Sequence, residues 1–166
     1  MNIVTERLVL RLIQPEDLNP LLKLWTDPDV TCFLGGPREI ENLKKDLLED
    51  IEDPERYKYN VWPVFERKSS QLVGHCGIVD KEIEGRLEYD LVYVFFKEAW
   101  GQGYATEIAF ALKAHAKCVF QLKRLVAVIE PDNLPSGRVA EKLGMRPETE
   151  LLRPDGRIKK VFAVEL

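Results

Sequence analysis

The chain has 166 residues, 45% of them apolar, with 24 basic and 28 acidic residues that leave a formal net charge of -4. A chain of that length buries a sizeable core, so residues 1–166 read as a single domain. The basic residues are scattered and form no stripe, which excludes a nucleic-acid footprint, while the slight acidic excess is ordinary for a soluble protein and compatible with a cationic substrate.

From the amino terminus, "RLVLRLI" alternates apolar and charged residues as a half-buried strand does, and "QPEDL" opens a helix carrying Leu18, Leu21, Leu22 and Trp25 at helical spacing. The stretch "DPDVTCFLGGP" reads as a loop, and "REIENLKKDLLEDIED" as a second amphipathic helix. The period then changes. "YNVWPVFE", "LVGHCGIVD" and "LEYDLVYVFF" read as a three-stranded meander, with Pro63 implying an edge or a bulge in the first strand. A third helix, "ATEIAFALKAHAKCVF", places Ile108, Ala109, Leu112, Ala116 and Val119 on one face. The strand "RLVAVI", a capped helix "PDNLPSGRVAEKLG" and a hairpin around "RPDGR" complete the order. The sum is an α/β, α+β layered domain, a mixed sheet of seven strands flanked by four helices.

Between the third meander strand and the third helix lies "WGQGYATE". A glycine loop opening a helix aims backbone N–H groups at any nearby anion, and Gly101 and Gly103 let the backbone approach it. The loop lacks the Lys-Ser/Thr pair of a P-loop, and Thr106 stands where the dinucleotide fingerprint has Gly or Ala. On its own it reads as a phosphate cradle or as a plain turn. The cysteines Cys32, Cys76 and Cys118 form no CxxC pair, which suits a reducing, cytoplasmic setting. No apolar run reaches the ~18 residues of a membrane span, and "MNIVTERLVL" lacks the regions of a signal peptide. With His75 and His115 as its histidines and no ligand cluster, the chain is not expected to bind a metal.

The segments "DLVYVFFKEAWGQGYATEIAFAL" and "RLVAVIEPDNLPSGRVAEKLGM", with the opening "TERLVLRLIQPEDL", resemble the GNAT superfamily of acetyl-CoA-dependent N-acetyltransferases. Trp100, where the broad pattern has Arg or Gln, is similar to the branch that includes the ribosomal-protein acetyltransferases RimJ and RimL. The resemblance covers essentially the whole chain and implies a mostly antiparallel sheet, acetyl-CoA as cosubstrate and an amine acceptor. By resemblance, Trp100, Gly101, Gln102, Gly103, Tyr104, Ala105 and Thr106 cradle the coenzyme A pyrophosphate. The strand Val92, Tyr93, Val94 and Phe95 offers backbone groups to the pantetheine arm, and Asn133 hydrogen-bonds near it.

Acetyl transfer to an amine needs a neutral amine, a stabilised oxyanion and a proton for the departing thiolate. An α-amino group of pKa about 8 is partly neutral near pH 7, whereas a lysine amine near 10.4 needs more help. Asp90, inside an apolar run and aligned with an acidic position of the RimJ/RimL-like strand, is the candidate base, acting through water; Glu88 shares its strand face and completes an acidic patch for an ammonium group. A salt-bridged strand carboxylate is the competing reading. Ser136, by resemblance close to the sulfur, is the candidate proton donor, and a backbone N–H near Val94 the oxyanion donor. His75 faces the acceptor or caps the sheet; it cannot pair with Cys76, its neighbour on a strand. Phe33 and Gly35 are candidates for a mobile acceptor lid, and Trp25 for core. The expected acceptor is a protein amino terminus or a small amine, and the chain a monomer or homodimer with neither nucleic acid nor membrane as partner. A non-catalytic acyl-CoA-binding module is the alternative.

Overall fold

The computed structural model describes residues 1–153 and 155–166; Pro154 of "RPDGR" lies outside the described residues. Strands pair in the order β1-β2-β3-β4-β5-β6-β8-β7. The chain divides into two compact units, one of residues 1–77 and 93–104, the other of 78–92 and 105–166.

In the first unit, β1 (Asn2–Val4), β2 (Leu8–Arg11), β3 (Val61–Glu66) and the first half of β4 (Leu72–Ile83) run antiparallel. β1 makes the sheet eight-stranded where seven strands were expected. Its three residues are too few for alternation to register, yet Ile3 is buried opposite Leu10. The helices α1 (Leu18–Thr26) and α3 (Ile40–Glu52) pack on each other, and Leu8, Leu10, Leu21, Leu24 and Val64 are fully buried. The loop expected after α1 contains a short extra helix, α2 (Pro28–Thr31). Asp27 Oδ1 accepts the N–H groups of Asp29 and Val30, and Pro28 starts the turn, so a turn signal here is also a helix cap. Pro63 does not mark an edge, because β3 pairs on both sides; the β2 ladder ends at Leu10 and Val64, where no N–H from Pro63 is needed, and a register shift follows between Val64 and Phe65.

The second unit holds the rest of β4, the start of β5 (Arg86–Phe95), α4 (Tyr104–Cys118) from Ala105 on, β6 (Arg124–Ile129), α5 (Leu134–Lys142), β7 (Arg146–Leu152) and β8 (Ile158–Glu165). β5 runs parallel to β6 at Asp90 and Val126, and β8 pairs antiparallel with both β6 and β7. Ile108, Ala109, Leu112 and Ala116 of α4 are fully buried, as their spacing dictates; Val119 instead lies past the helix end and is exposed.

Gly77 shows how closely β3 and β4 approach. A Cβ there would stand 2.0 Å from the Asn60 carbonyl oxygen and 2.7 Å from Val61 Cα, both backbone atoms that cannot swing aside. Gly77→Ala is expected to cost on the order of 2–4 kcal/mol, read as a lower urea midpoint; an unchanged midpoint would contradict this packing.

Candidate active site

β5 ends at Phe95, a single 3-10 turn spans Lys97–Ala99, and the chain then crosses Trp100–Gly103 into α4. Three side chains hold that crossing. Trp100 Nε1 donates to the Phe95 carbonyl at 2.9 Å, Gln102 Nε2 to the Glu98 carbonyl at 2.9 Å, and Arg7 Nη1 to the Gln102 carbonyl at 2.8 Å. Gly101 and Gly103 have φ of 73° and 80°, a left-handed conformation that disfavours any side chain. Trp100 to Gly103 are exposed, whereas Tyr104 is buried and donates its hydroxyl to Glu66 Oε1 at 2.5 Å. The Tyr104 side chain therefore serves the fold, and what it offers a ligand is backbone. With Ala105 and Thr106 it forms the first helical turn, whose N–H groups have no intrahelical acceptor. A Cβ on Gly101 would meet nothing within 4 Å, so the space in front of the loop is open. Exposed amides, open space and a helix amino terminus suit a pyrophosphate.

On β5, Val92 and Tyr93 are half-buried and Val94 and Phe95 buried. The Phe96 N–H donates to the Val73 carbonyl at 3.0 Å, and the Val94 carbonyl accepts from Cys76 Sγ at 3.9 Å. Val94 and Phe96 thus turn their backbone groups toward β4. The intervening residues, Tyr93 and Phe95, turn theirs to the opposite edge.

Glu88 and Asp90 are both buried on one face of β5, as alternation requires, but each carboxylate already has a cation. Arg124 Nε lies 3.2 Å from Glu88 and its other nitrogens reach Glu148 and Glu165. Lys81 Nζ pairs with Asp90 Oδ2, while Asp90 Oδ1 accepts the Val128 N–H at 3.0 Å. Burial pushes the Asp90 carboxyl above its ordinary range, against the pull of Lys81 and the Val128 N–H. The two acids therefore present a neutralised pair of ion bridges, not an open acidic patch.

Asn133 caps α5: its Oδ1 accepts the Ser136 N–H at 3.3 Å, and Ser136 is half-buried. Asn133 also lines a cavity of about 290 Å³ with Gly137, Arg138, Lys160 and Phe162.

In the first unit, a second cavity of about 400 Å³ is walled by Trp25, Arg38, Asp46, Asp50, Asn60 and His75 among others. Trp25 Nε1 donates to His75 Nδ1 at 2.9 Å, which leaves the imidazole proton on Nε2 facing the Val61 backbone. Trp25 is thus core and cavity wall at once. No local signal marks it, because its partner lies fifty positions along the chain. Phe33 and Gly35 are not on that wall; they sit in a turn tied by Leu34 and Gly36 N–H groups to the Thr31 carbonyl. Cys76 is fully buried with its thiol pKa pushed up, and it shares no partner with His75. His115 packs edge-on against Phe120, and burial lowers its pKa.

The chain matches the acetyltransferase (GNAT) domain family over residues 7–146 and belongs to it. It is 31% identical over 144 residues to the uncharacterized protein YkkB of Bacillus subtilis, covering 86% of this chain and 84% of that one. The crystal structure of a GNAT-family acetyltransferase from Bacillus anthracis superposes with a TM-score of 0.82 at 27% identity, covering 99% of this chain and 98% of that one. RimL, a ribosomal-protein alpha-N-acetyltransferase solved in complex with coenzyme A, shares the fold at a TM-score of 0.81 and 17% identity, over 100% of this chain and 98% of its own. Membership in this family implies acetyl transfer from acetyl-CoA. Among the described residues, no group of three or more His, Cys, Asp or Glu is placed to hold a metal ion, and no helix is long and apolar enough to cross a membrane.

Burial lowers the His75 pKa from 6.5 to about 3, so the neutral ring stabilises the fold above pH 6.5 and that contribution is lost as pH falls from 6.5 toward 3. His75→Gln, which retains an acceptor for Trp25, is expected to lose less stability between pH 7.5 and 4.5 than the parent does. Urea midpoints at the two pH values check this, and equal losses would contradict a buried neutral imidazole.

Proposed function

We propose that residues 1–166 work as one acetyltransferase domain, which moves the acetyl group of acetyl-CoA to a primary amine by direct attack in a ternary complex. The observation that carries this reading is the exposed loop Trp100–Gly103, clamped by three side chains and opening directly into α4. The amides of Gly101, Gln102 and Gly103, with those of Tyr104, Ala105 and Thr106, bind the pyrophosphate, while the Trp100 N–H is spent on the Lys97 carbonyl; Val92 to Phe95 with Asn133 bind the pantetheine arm. Trp100 supports a RimJ/RimL-like reading, with a protein amino terminus or a small amine as the acceptor. His75, on the wall of the cavity in the first unit, is the proposed acceptor-side residue, and the assembly is a monomer or homodimer.

In the reaction the amine nitrogen attacks the thioester carbon, the carbonyl oxygen gains charge, and the carbon–sulfur bond breaks as the thiolate takes a proton. A backbone N–H of Tyr93 or Phe95 stabilises the oxyanion. Ser136 supplies the proton to sulfur. Asp90 accepts the ammonium proton through water, and its burial favours that role because a raised carboxyl pKa makes a stronger base. Both Asp90 oxygens are engaged, by Lys81 and by Val128, and this favours a second reading in which the chain binds acyl-CoA without turnover.

Thiol release from acetyl-CoA, followed with a panel of small amines and short peptides, separates the two. Turnover is expected with at least one amine, and Asp90→Asn and Ser136→Ala are expected to lower kcat on the order of 10²-fold. Coenzyme A binding without release for any amine would favour the module. Gly103→Val, strained by the left-handed φ, is expected to weaken coenzyme A binding at least about tenfold, and unchanged affinity in a folded variant would remove the cradle.

A further inference from the structure

Arg7 precedes β2 and its backbone is held on both sides. Thr5 and Leu8 exchange hydrogen bonds across it, the Arg67 N–H donates to the Arg7 carbonyl at 2.8 Å, and Arg67 Nη1 donates to the carbonyls of Thr5 and Glu6. The Arg7 guanidinium lies over the Tyr104 ring, 4.7 Å from its centroid, and that ring is itself anchored through its hydroxyl to Glu66. From this position Arg7 Nη1 donates to the Gln102 carbonyl at 2.8 Å.

The Gln102–Gly103 peptide is free to flip in the absence of a restraint, since a glycine at Gly103 accepts either sign of φ. In a planar trans peptide the carbonyl and the following N–H point in opposite directions. A guanidinium that fixes the Gln102 carbonyl therefore fixes the Gly103 N–H as well, turned away from Arg7. On the reading of the loop as a pyrophosphate cradle, we propose that Arg7 is a positioning residue: it holds the Gln102–Gly103 peptide with the Gly103 N–H facing the coenzyme A pyrophosphate. No sequence motif marks it, because it stands 95 positions from the carbonyl it holds.

Calorimetric titration with coenzyme A and with pantetheine, which lacks the pyrophosphate, tests this. Arg7→Ala is expected to weaken coenzyme A about tenfold, as befits one exposed charge-assisted hydrogen bond, and to leave pantetheine within about twofold. Because Arg7 works through the Gly103 peptide, adding Arg7→Ala to Gly103→Val is expected to cost little beyond Gly103→Val alone. Should Arg7→Ala fold poorly, Arg7→Lys retains a single donor and is expected to weaken coenzyme A about threefold with pantetheine again unchanged. The proposal is overturned if both Arg7 variants bind coenzyme A as the parent does, if pantetheine weakens in parallel, or if the two losses multiply in the double variant, which would make Arg7 an independent charge. Gly103→Val without effect would instead strike the cradle itself.

Discussion

An α-helix cannot satisfy the N–H groups of its own first turn, and the start of α4 is built around that constraint. Were this helix end buried in the fold, a cap would have to absorb the donors. Instead the chain arrives through two glycines in left-handed conformation, and the side chains that stiffen the loop, Trp100, Gln102 and Arg7, all bond to carbonyls. The stiffening spends acceptors and keeps amide donors exposed. On the proposed reading of the loop as a pyrophosphate cradle, its rigidity lowers the entropy lost on binding, and the clamps would contribute to affinity without touching the ligand.

Buried charge is handled in the opposite way. Glu88 and Asp90 lie in a strand where an unpaired carboxylate would be costly, and the fold answers with Arg124 and Lys81. Asp90 does a second job: its carboxylate takes the Val128 N–H two residues beyond the β5–β6 register pair at Val126. A side-chain oxygen there stands where a ladder would present a carbonyl, so the carboxylate ties β6 to β5. Any proton that Asp90 accepts, directly or through water, neutralises the carboxylate and so comes at the expense of its ion pair with Lys81. Under the proposed mechanism two demands, strand pairing and basicity, fall on one side chain, and Asp90→Asn keeps the first while removing the second.

Strongly periodic elements were legible in the sequence. The α4 face of Ile108, Leu112 and Ala116, the α5 cap at Asn133 and the buried strand run of Leu125 to Ala127 follow from spacing and local chemistry. Short elements were not: β1 has too few residues to show alternation, and α2 carries the same Asp-Pro signal as a turn. The glycine loop was legible because its geometry is local. Its support was not, since Arg7 reaches it from across the fold. The same limit hid the cations that neutralise Glu88 and Asp90: alternation places two acids on one face, but only tertiary structure brings Arg124 and Lys81 to them. The Trp25–His75 bond belongs with these, a contact between a helix and a strand that neither segment announces.

The proposed function rests on the amides from Gly101 into the first turn of α4 receiving the coenzyme A pyrophosphate. Titrating isotopically labelled protein with coenzyme A, and following the backbone amide resonances, tests it without relying on turnover or on a variant. The largest shifts are expected at Gly101, Gly103 and the first residues of α4, with the Gly103 amide moving downfield as it gains a charged acceptor. Large shifts confined to other residues, with the Gly101 and Gly103 amides unmoved at saturation, would contradict the account.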